Sequence, residues 1–578
     1  MKKILFLFVI ASSYCAAQEP ESAVRRIHSH LLIHDPSSAV KEAKQFLDLY
    51  PDFRPLQLAY LKALCQKGEE VEAFQQFSSA FEASQAQDSS HRLTLEWLAW
   101  GVLNKGEDSQ MLLVRLYSLL GSAFTHDARA IPILLKELQG SNAILRSLAV
   151  KLSSQYRDAP LRQELLRMLK EEKVWFVKLE VIQAIGALRM LEAKKPLQEI
   201  IAHPRTLVEE KGTAIIALAG MYETISLQEL SQLIQSDRSG LRQLAAELVA
   251  HLEFHEGIDL LLPLLSDGSP YVRISTMKTL GFLEARTLQG KATVDCIQDN
   301  LKDSHPEVAI MAGWLATLLG DKRGKDVLKE WIEQSRLEPK RLASAALAAT
   351  GVIGADLAFQ KMEKETDLYT KVNLALGLIG QRKEVKSSSE VLFQALEEGK
   401  KELWMWEFSG NGVFRTLSPS KVRHREEMPK YPQMTDQLVK LELLSVLSIV
   451  KYPQALEAVK GFLKTQAWGV SGTAAATLLQ EGEESSLDIV RELLEDPDEK
   501  LRIQAALILA LVGGDPSAAR VLIEAYPRVD REMKMHILEA LGHIGDPSSI
   551  PFLVELFKEP FQGLRIVAAS ALIQCLYH

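Results

Sequence analysis

A chain of 578 residues, 47% apolar and 25% charged, has the composition of an ordinary folded protein but is too long for one compact core. Its formal charge of −8 gives no general pull toward nucleic acid or anionic lipid, so no nucleic-acid partner is expected. Four widely spaced cysteines exclude a disulfide framework, and one of them, Cys15, lies in the leader-like first residues.

The chain opens like an address. Lys2 and Lys3 precede an unbroken apolar run, Ile4 to Ile10, and Cys15-Ala16-Ala17 places small residues before a cleavage point at Gln18. This resembles a bacterial Sec signal peptide over 1–17, which implies a periplasmic or secreted protein; loss of the two lysines would take the charge from −8 to −10. Acylation of Cys15 is the alternative, and Tyr14 before it argues against that. No later stretch has 18 uncharged apolar residues, so no transmembrane span is expected.

Residues 18–128 read as a helical N-terminal region. Ala39 and Ala73 occupy matching helical patterns 34 residues apart, and Tyr50-Pro51-Asp52-Phe53 ends the first. This is similar to tetratricopeptide repeats, with about two units visible. Residues 91 to 128 read as helices joining this region to a periodic array that begins at 129.

From residue 129 to 400, and again from 436 to 578, a basic residue returns for the most part every 31 to 33 positions: Arg146, Lys178, Lys211, Arg242, Arg273, Arg341 and Lys371, then Lys440, Arg502, Lys534 and Arg565. The residue before each opens one helical stripe. Leu501, Ala505, Ile508, Leu509 and Val512 form it in one unit, and Met533, Ile537, Ala540, Leu541 and Ile544 in the next. Val308, Ala312 and Leu315 keep the stripe although Ala309 replaces the base. A further apolar helix and a turn such as Asp267-Gly268-Ser269-Pro270 or Asp496-Pro497-Asp498 precede each stripe; Asp caps the coming helix and Pro fixes its start. The period predicts about thirteen stacked two-helix units. With Asp267-Gly-Ser-Pro270-Tyr-Val272-Arg273 and Leu541-Gly542-His-Ile-Gly545-Asp546-Pro547 it resembles HEAT repeats of the short phycobilisome-lyase type. The resemblance implies an all-α fold, an α-α superhelix of the HEAT or armadillo-like solenoid class with N-terminal TPR-like hairpins.

Residues 401–435 interrupt this order. Lys371 to Lys440 takes 69 residues where one unit needs about 31. The surplus holds Trp404, Trp406, Phe408, Phe414, Arg423 and Arg425, in a segment without helical pattern. Such residues anchor interfaces, so these six are the candidate protein-binding residues. The same aromatics could instead fold back as a plug at an irregular repeat.

Catalytic signatures are sparse. The Lys/Arg row reads as a structural ladder between turns rather than a phosphate stripe. His251 and His255-Glu256 stand at helical spacing without a third ligand. Deoxyhypusine hydroxylases, which are HEAT-repeat di-iron enzymes, carry several His-Glu pairs on successive repeats; this chain has one, so that activity is not carried over. Ser275-Thr-Met-Lys278 and Ser418-Pro-Ser-Lys421 match S-x-x-K without the companion boxes of penicillin-recognising enzymes. Cys575 takes a core position. No catalytic residue, metal or cofactor is expected. The reading is a non-enzymatic exported scaffold for another protein. The alternatives are a HEAT-type lyase or metal-dependent hydroxylase acting on a protein, or a lipid-anchored envelope adaptor.

Overall fold

The computed structural model describes residues 20–81, 89–398, 405–408, 417–420, 446–447, 450, 452–454 and 490–577. The described residues are helical apart from turns and two antiparallel hairpins. They fall into two compact units. One joins the residues up to Tyr156 with those from Val490 onward; the other holds the rest.

The first unit begins with helices Pro20–Leu32, Pro36–Leu47, Arg54–Lys67, Glu70–Phe81 and Ser89–Glu107, each packed on its neighbours. Ala39 and Ala73, the pair 34 residues apart, are both buried. Helices Leu112–Ala123, Ala130–Leu138 and Ala143–Ser153 follow. In the same unit, helices Glu499–Gly513, Arg531–Ile544 and Gln562–Tyr577 are the basic-residue helices of the last three repeats. Their stripes are buried as the period demands: Leu501, Ala505 and Leu509 are each 0% exposed, as are Ile537, Ala540 and Leu541.

The second unit repeats the pattern with Trp175–Ala187, Val208–Ala219, Ser239–His251, Pro270–Phe282, Pro306–Leu318, Leu337–Ala348 and Leu368–Gly380 as its basic-residue helices. Ala309, standing where a base is expected, is buried. Ahead of Pro306–Leu318 the usual first helix is replaced by a short hairpin, Thr287–Leu288 with Lys291–Ala292, and a single helical turn, Thr293–Cys296. Gln289 and Gly290 both take positive φ at its tip, and Asp259 holds Gln289 there by accepting from its backbone N–H at 2.7 Å.

One local device ends most of these helices. The residue after the last turn adopts left-handed φ at Arg189, Glu253, Glu284, Gly320, Arg382, Gly514 and Gly545. Around it the chain folds back on the helix end: Arg189 N–H donates to Gly186 O and Met190 N–H to Ile185 O, and the same pair recurs at Glu284 and Ala285. This is a Schellman turn, which satisfies the last orphan carbonyls, and Gly545 uses the simpler left-handed cap, its N–H donating to Leu541 O. Glycine suits it, yet several repeats spend an ordinary side chain there. Gly545→Val should therefore cost about 1–2 kcal/mol, whereas Glu284→Gly should gain up to about 1 kcal/mol by relieving strain. Urea midpoints of the two variants check this, and opposite signs are the expected result.

Candidate functional site

The repeated cation comes first because it is the most regular polar feature. Its arginines make two kinds of contact, and Arg242 and Arg273 make both. One Nη donates to the carbonyl oxygen six residues earlier: Arg242 to Ser236 at 2.8 Å, Arg273 to Asp267 at 2.6 Å, Arg502 to Asp496 at 2.7 Å, and Arg146 to Gly140 at 3.0 Å. The rest of the head reaches an acid of the following unit. Arg242 grips both carboxylate oxygens of Asp267 at 2.5 and 2.9 Å, Arg273 meets Asp303 at 2.8 Å, and Arg341 meets Asp367 at 3.0 and 2.7 Å. Lys178 pairs likewise with Glu210 at 2.8 Å. The acids also shape the start of the coming helix: Asp367 caps it by accepting from Thr370 N–H, while Asp267 and Asp303 brace the turn before it by accepting from Ser269 and His305 N–H. The six-residue interval from Asp to Arg thus belongs to a backbone carbonyl, and the carboxylate serves the base of the previous unit.

The ladder also extends further upstream than the sequence suggested. Arg115 on helix Leu112–Ala123 binds Glu137 in a bidentate pair at 2.8 and 2.6 Å, with Glu137 1% exposed. The expected beginning of the repeats at 129 missed this rung because the stripe of that helix is filled by Ser118, Gly121 and Ser122, all buried. These small residues let another helix come close. Gln562–Tyr577, the last helix of the chain, packs on Ser89–Glu107 and Leu112–Ala123. Ser570 Oγ donates to Gly121 O at 2.7 Å, and a Cβ on Gly121 would lie 3.3 Å from that of Ser570. Arg565 finds its acid earlier in the chain: its Nε donates to Glu70 Oε2 at 2.9 Å, while its Nη1 keeps the carbonyl of Glu559. Tyr577 donates to Glu96 at 2.6 Å beneath the Arg92 guanidinium, and Phe557 meets Phe74 edge-on.

The candidate binding residues divide between described and undescribed positions. Trp404, Phe414, Arg423 and Arg425 lie outside the described residues. Trp406 and Phe408 lie on strand Met405–Phe408, which pairs antiparallel with Leu417–Ser420, so Trp406 stands opposite Pro419 and Phe408 opposite Leu417. The alternating aromatics Trp404, Trp406 and Phe408 followed by Ser-Gly-Asn-Gly were a hairpin signal that the helical period obscured.

The other candidates resolve by contact. Ser275 is buried and donates to Glu247, so its S-x-x-K match is a packed hydroxyl. Cys575 is buried beside Leu541 O, and burial pushes its thiol up to about 12. Among the described residues no three His, Cys, Asp or Glu side chains come together as a metal site, and no helix is long and apolar enough to cross a membrane.

Two grooves mark the C-terminal repeats. One, of about 280 Å³, lies between the starts of Glu499–Gly513 and Arg531–Ile544, with Lys500, Ile503, Gln504, Arg528 and Met533 in its walls. The other, of about 350 Å³, is lined by Pro516, Arg520, Ile523 and Asp546. Neither was visible in the sequence, because their walls come from residues between the stripe positions.

A chain of two-helix units joined by Arg–Asp rungs and ended by Schellman turns is an all-α repeat protein. The family described as HEAT repeats matches residues 433–510 and 491–573. No curated protein sequence matches it. Among solved structures, one described as the UNC-45 chaperone critical for binding and folding muscle myosin is similar at 13% identity, over 96% of this chain and 82% of that one, with a TM-score of 0.36. An engineered protein is similar at 14% identity, over 88% of this chain and 98% of that one, with a TM-score of 0.15.

The rungs carry a pH signature. Burial would raise the Asp267 carboxyl, but the hydrogen bonds from Arg242 and Ser269 N–H and the charges of Arg242 and Arg273 outweigh it and hold the group below its ordinary range. Asp367 is held low in the same way by Arg341 and Thr370. A carboxyl lowered on folding contributes stability above its unfolded value, near pH 4, and loses it as pH falls through the lower folded value. Asp267→Asn should therefore be less stable than wild type at pH 7 and flatter below about pH 4. Arg242→Met, which strands the Asp267 charge, should cost about 3 kcal/mol at pH 7. Denaturation at several pH values reads both.

Proposed function

We propose that the protein is a non-enzymatic interaction scaffold that binds another protein along its repeats. The observation that carries this reading is the ladder: Arg242, Arg273 and Arg341 of the conspicuous row of cations are spent on carbonyls and carboxylates of the array itself, which builds an extended surface rather than a reactive pocket. Stacked helical repeats offer long surfaces of this kind to protein partners. The 401–435 insert, with Trp404, Trp406, Phe408, Phe414, Arg423 and Arg425, is the first docking element to test. The leader-like residues 1–17 support export, to the periplasm or beyond.

In-cell crosslinking with mass spectrometry, comparing the full chain with one lacking 401–435, tests the reading. A partner protein crosslinked to the full chain and lost on deletion is the expected result. Trp404→Ala with Trp406→Ala should weaken that partner while leaving the melting temperature within about 2 °C. A lower melting temperature with the partner retained would make the insert a plug. The absence of any protein partner would overturn the scaffold reading. The mass of the recovered chain tests export: a mature start at Gln18 is expected, and a retained Met1 would contradict it.

A further inference from the structure

The repeat helices of the second unit differ on the side away from their stripe. The positions one and five residues after the base lie on that opposite side of the helix. Five after the base, Gln183 is exposed, Ile216 is 73% exposed, and Glu247 and Lys278 are half-buried. Pro306–Leu318, Leu337–Ala348 and Leu368–Gly380 depart from this. On them the two positions are apolar: Ile310 and Trp314, Leu342 and Ala346, Val372 and Leu376. They are also covered, with Ile310 2% exposed, Trp314 0%, Ala346 1% and Val372 4%. Gly281 of the preceding helix makes room for one face of the Trp314 ring. Apolar character alone does not explain the burial, since Ile216 stands bare at the equivalent position.

A segment from later in the chain reaches these helices. Strand Leu417–Ser420 of the insert hairpin lies against Leu337–Ala348, the middle helix of the three. The length of the connection agrees. Helix Val385–Glu398 packs on Leu368–Gly380, and Met405, where the hairpin starts, comes seven residues after Glu398. Seven residues span at most about 25 Å, and packed helices stand roughly 8–10 Å apart. The hairpin can therefore fall on these three helices, but not on Val208–Ala219, where Ile216 is bare.

We propose that this apolar side of Pro306–Leu318, Leu337–Ala348 and Leu368–Gly380 is a docking site for the chain's own insert, residues 401–435, with strand Leu417–Ser420 seated on it. A two-stranded hairpin alone is marginal in water and needs a surface to pack on; the three helices supply one. The inference concerns how the insert is held and does not depend on the scaffold reading. Where both hold, the seated strand keeps Met405–Phe408, with Trp406 and Phe408, in one place for the protein that the insert binds. Holding it there lowers the ordering cost of that contact.

Hydrogen exchange read by mass spectrometry on the full chain tests this with Ala346→Glu. Gln183, Glu247 and Lys278 show that the repeat itself accepts a long polar side chain at this position, so the change probes the seat and not the helix. The expected result is roughly ten-fold faster exchange in peptides covering 405–420, with exchange within Leu337–Ala348 unchanged. Ile216→Glu, the same change at the bare position, should leave 405–420 as in wild type. Equal exchange of 405–420 in wild type and Ala346→Glu, or the same acceleration by Ile216→Glu, overturns the proposal. If Ala346→Glu does not fold, lysine crosslinking of the wild-type chain decides. A link from Lys421, next to the seated strand, to Lys340 or Lys371 is expected, and a Lys421 that links to neither overturns the dock. The two readings fail separately. A partner protein that needs the insert, in a chain whose exchange ignores Ala346→Glu, removes the dock and leaves the scaffold. Accelerated exchange in a chain without any crosslinked partner in cells removes the scaffold and leaves the dock.

Discussion

An arginine at the start of a repeat helix joins three pieces of chain at once: its own helix, the carbonyl that ends the helix before it, and a carboxylate in the following unit. Arg273 does this through the Asp267 carbonyl and the Asp303 side chain. The aspartates of these rungs also accept a backbone N–H at or just before the start of the next helix, so such a rung fixes the entry of that helix as well as the spacing between repeats. Exposed ion pairs contribute little, but these heads are largely covered; Arg341 is 3% exposed and its partner Asp367 13%. Half-buried, charge-assisted and bidentate pairs are the strong kind. They also explain why the base can be lost at Ala309, where apolar packing alone fills the position: the rung orients a stack whose main stabilisation is the buried stripe.

A repeat stack has two faces left over, one at each end, and each needs a cover. Here the last repeat helix finds its cover in the first helices of the same chain. Glu70 gives Arg565 the carboxylate that the other arginines of the ladder find in the following repeat, and Ser118, Gly121 and Ser570 are small where two backbones approach. Tyr577 and Glu96, then Phe74 and Phe557, complete the seam. The polar stripe of Leu112–Ala123, which looks unlike the other repeats, is the consequence: it is shaped for a helix more than 400 residues away in sequence.

Much of the architecture was legible from period alone. Leu501, Ala505 and Leu509 are buried where the stripe put them, and Cys575 is a core thiol. What the period could not carry were features that break it. Arg115 belongs to the ladder, but its helix has serines and glycine in place of leucines. The hairpin at Thr287–Ala292 replaces a helix through a two-residue turn at Gln289-Gly290, and Gln289 takes a conformation that a local reading assigns to glycine or asparagine. The direction of each rung was also hidden, since Asp267 lies nearer in sequence to Arg273 than to Arg242, although its carboxylate binds Arg242. Of the six aromatic and basic residues singled out in the insert, Trp406 and Phe408 are described, on one strand of a hairpin.

The central claim is that the last repeat is capped by the N-terminal helices of its own chain, and a disulfide across that seam tests it most directly. With the native cysteines replaced, Gly121→Cys and Ser570→Cys would set two Cβ atoms about 3.3 Å apart, close to the ~3.5–4.5 Å of natural bridges. After mild oxidation, non-reducing electrophoresis and intact mass should show one bridged monomer with no free thiol. A folded monomer that keeps both thiols free, or bridges that form between chains alone, would contradict the account.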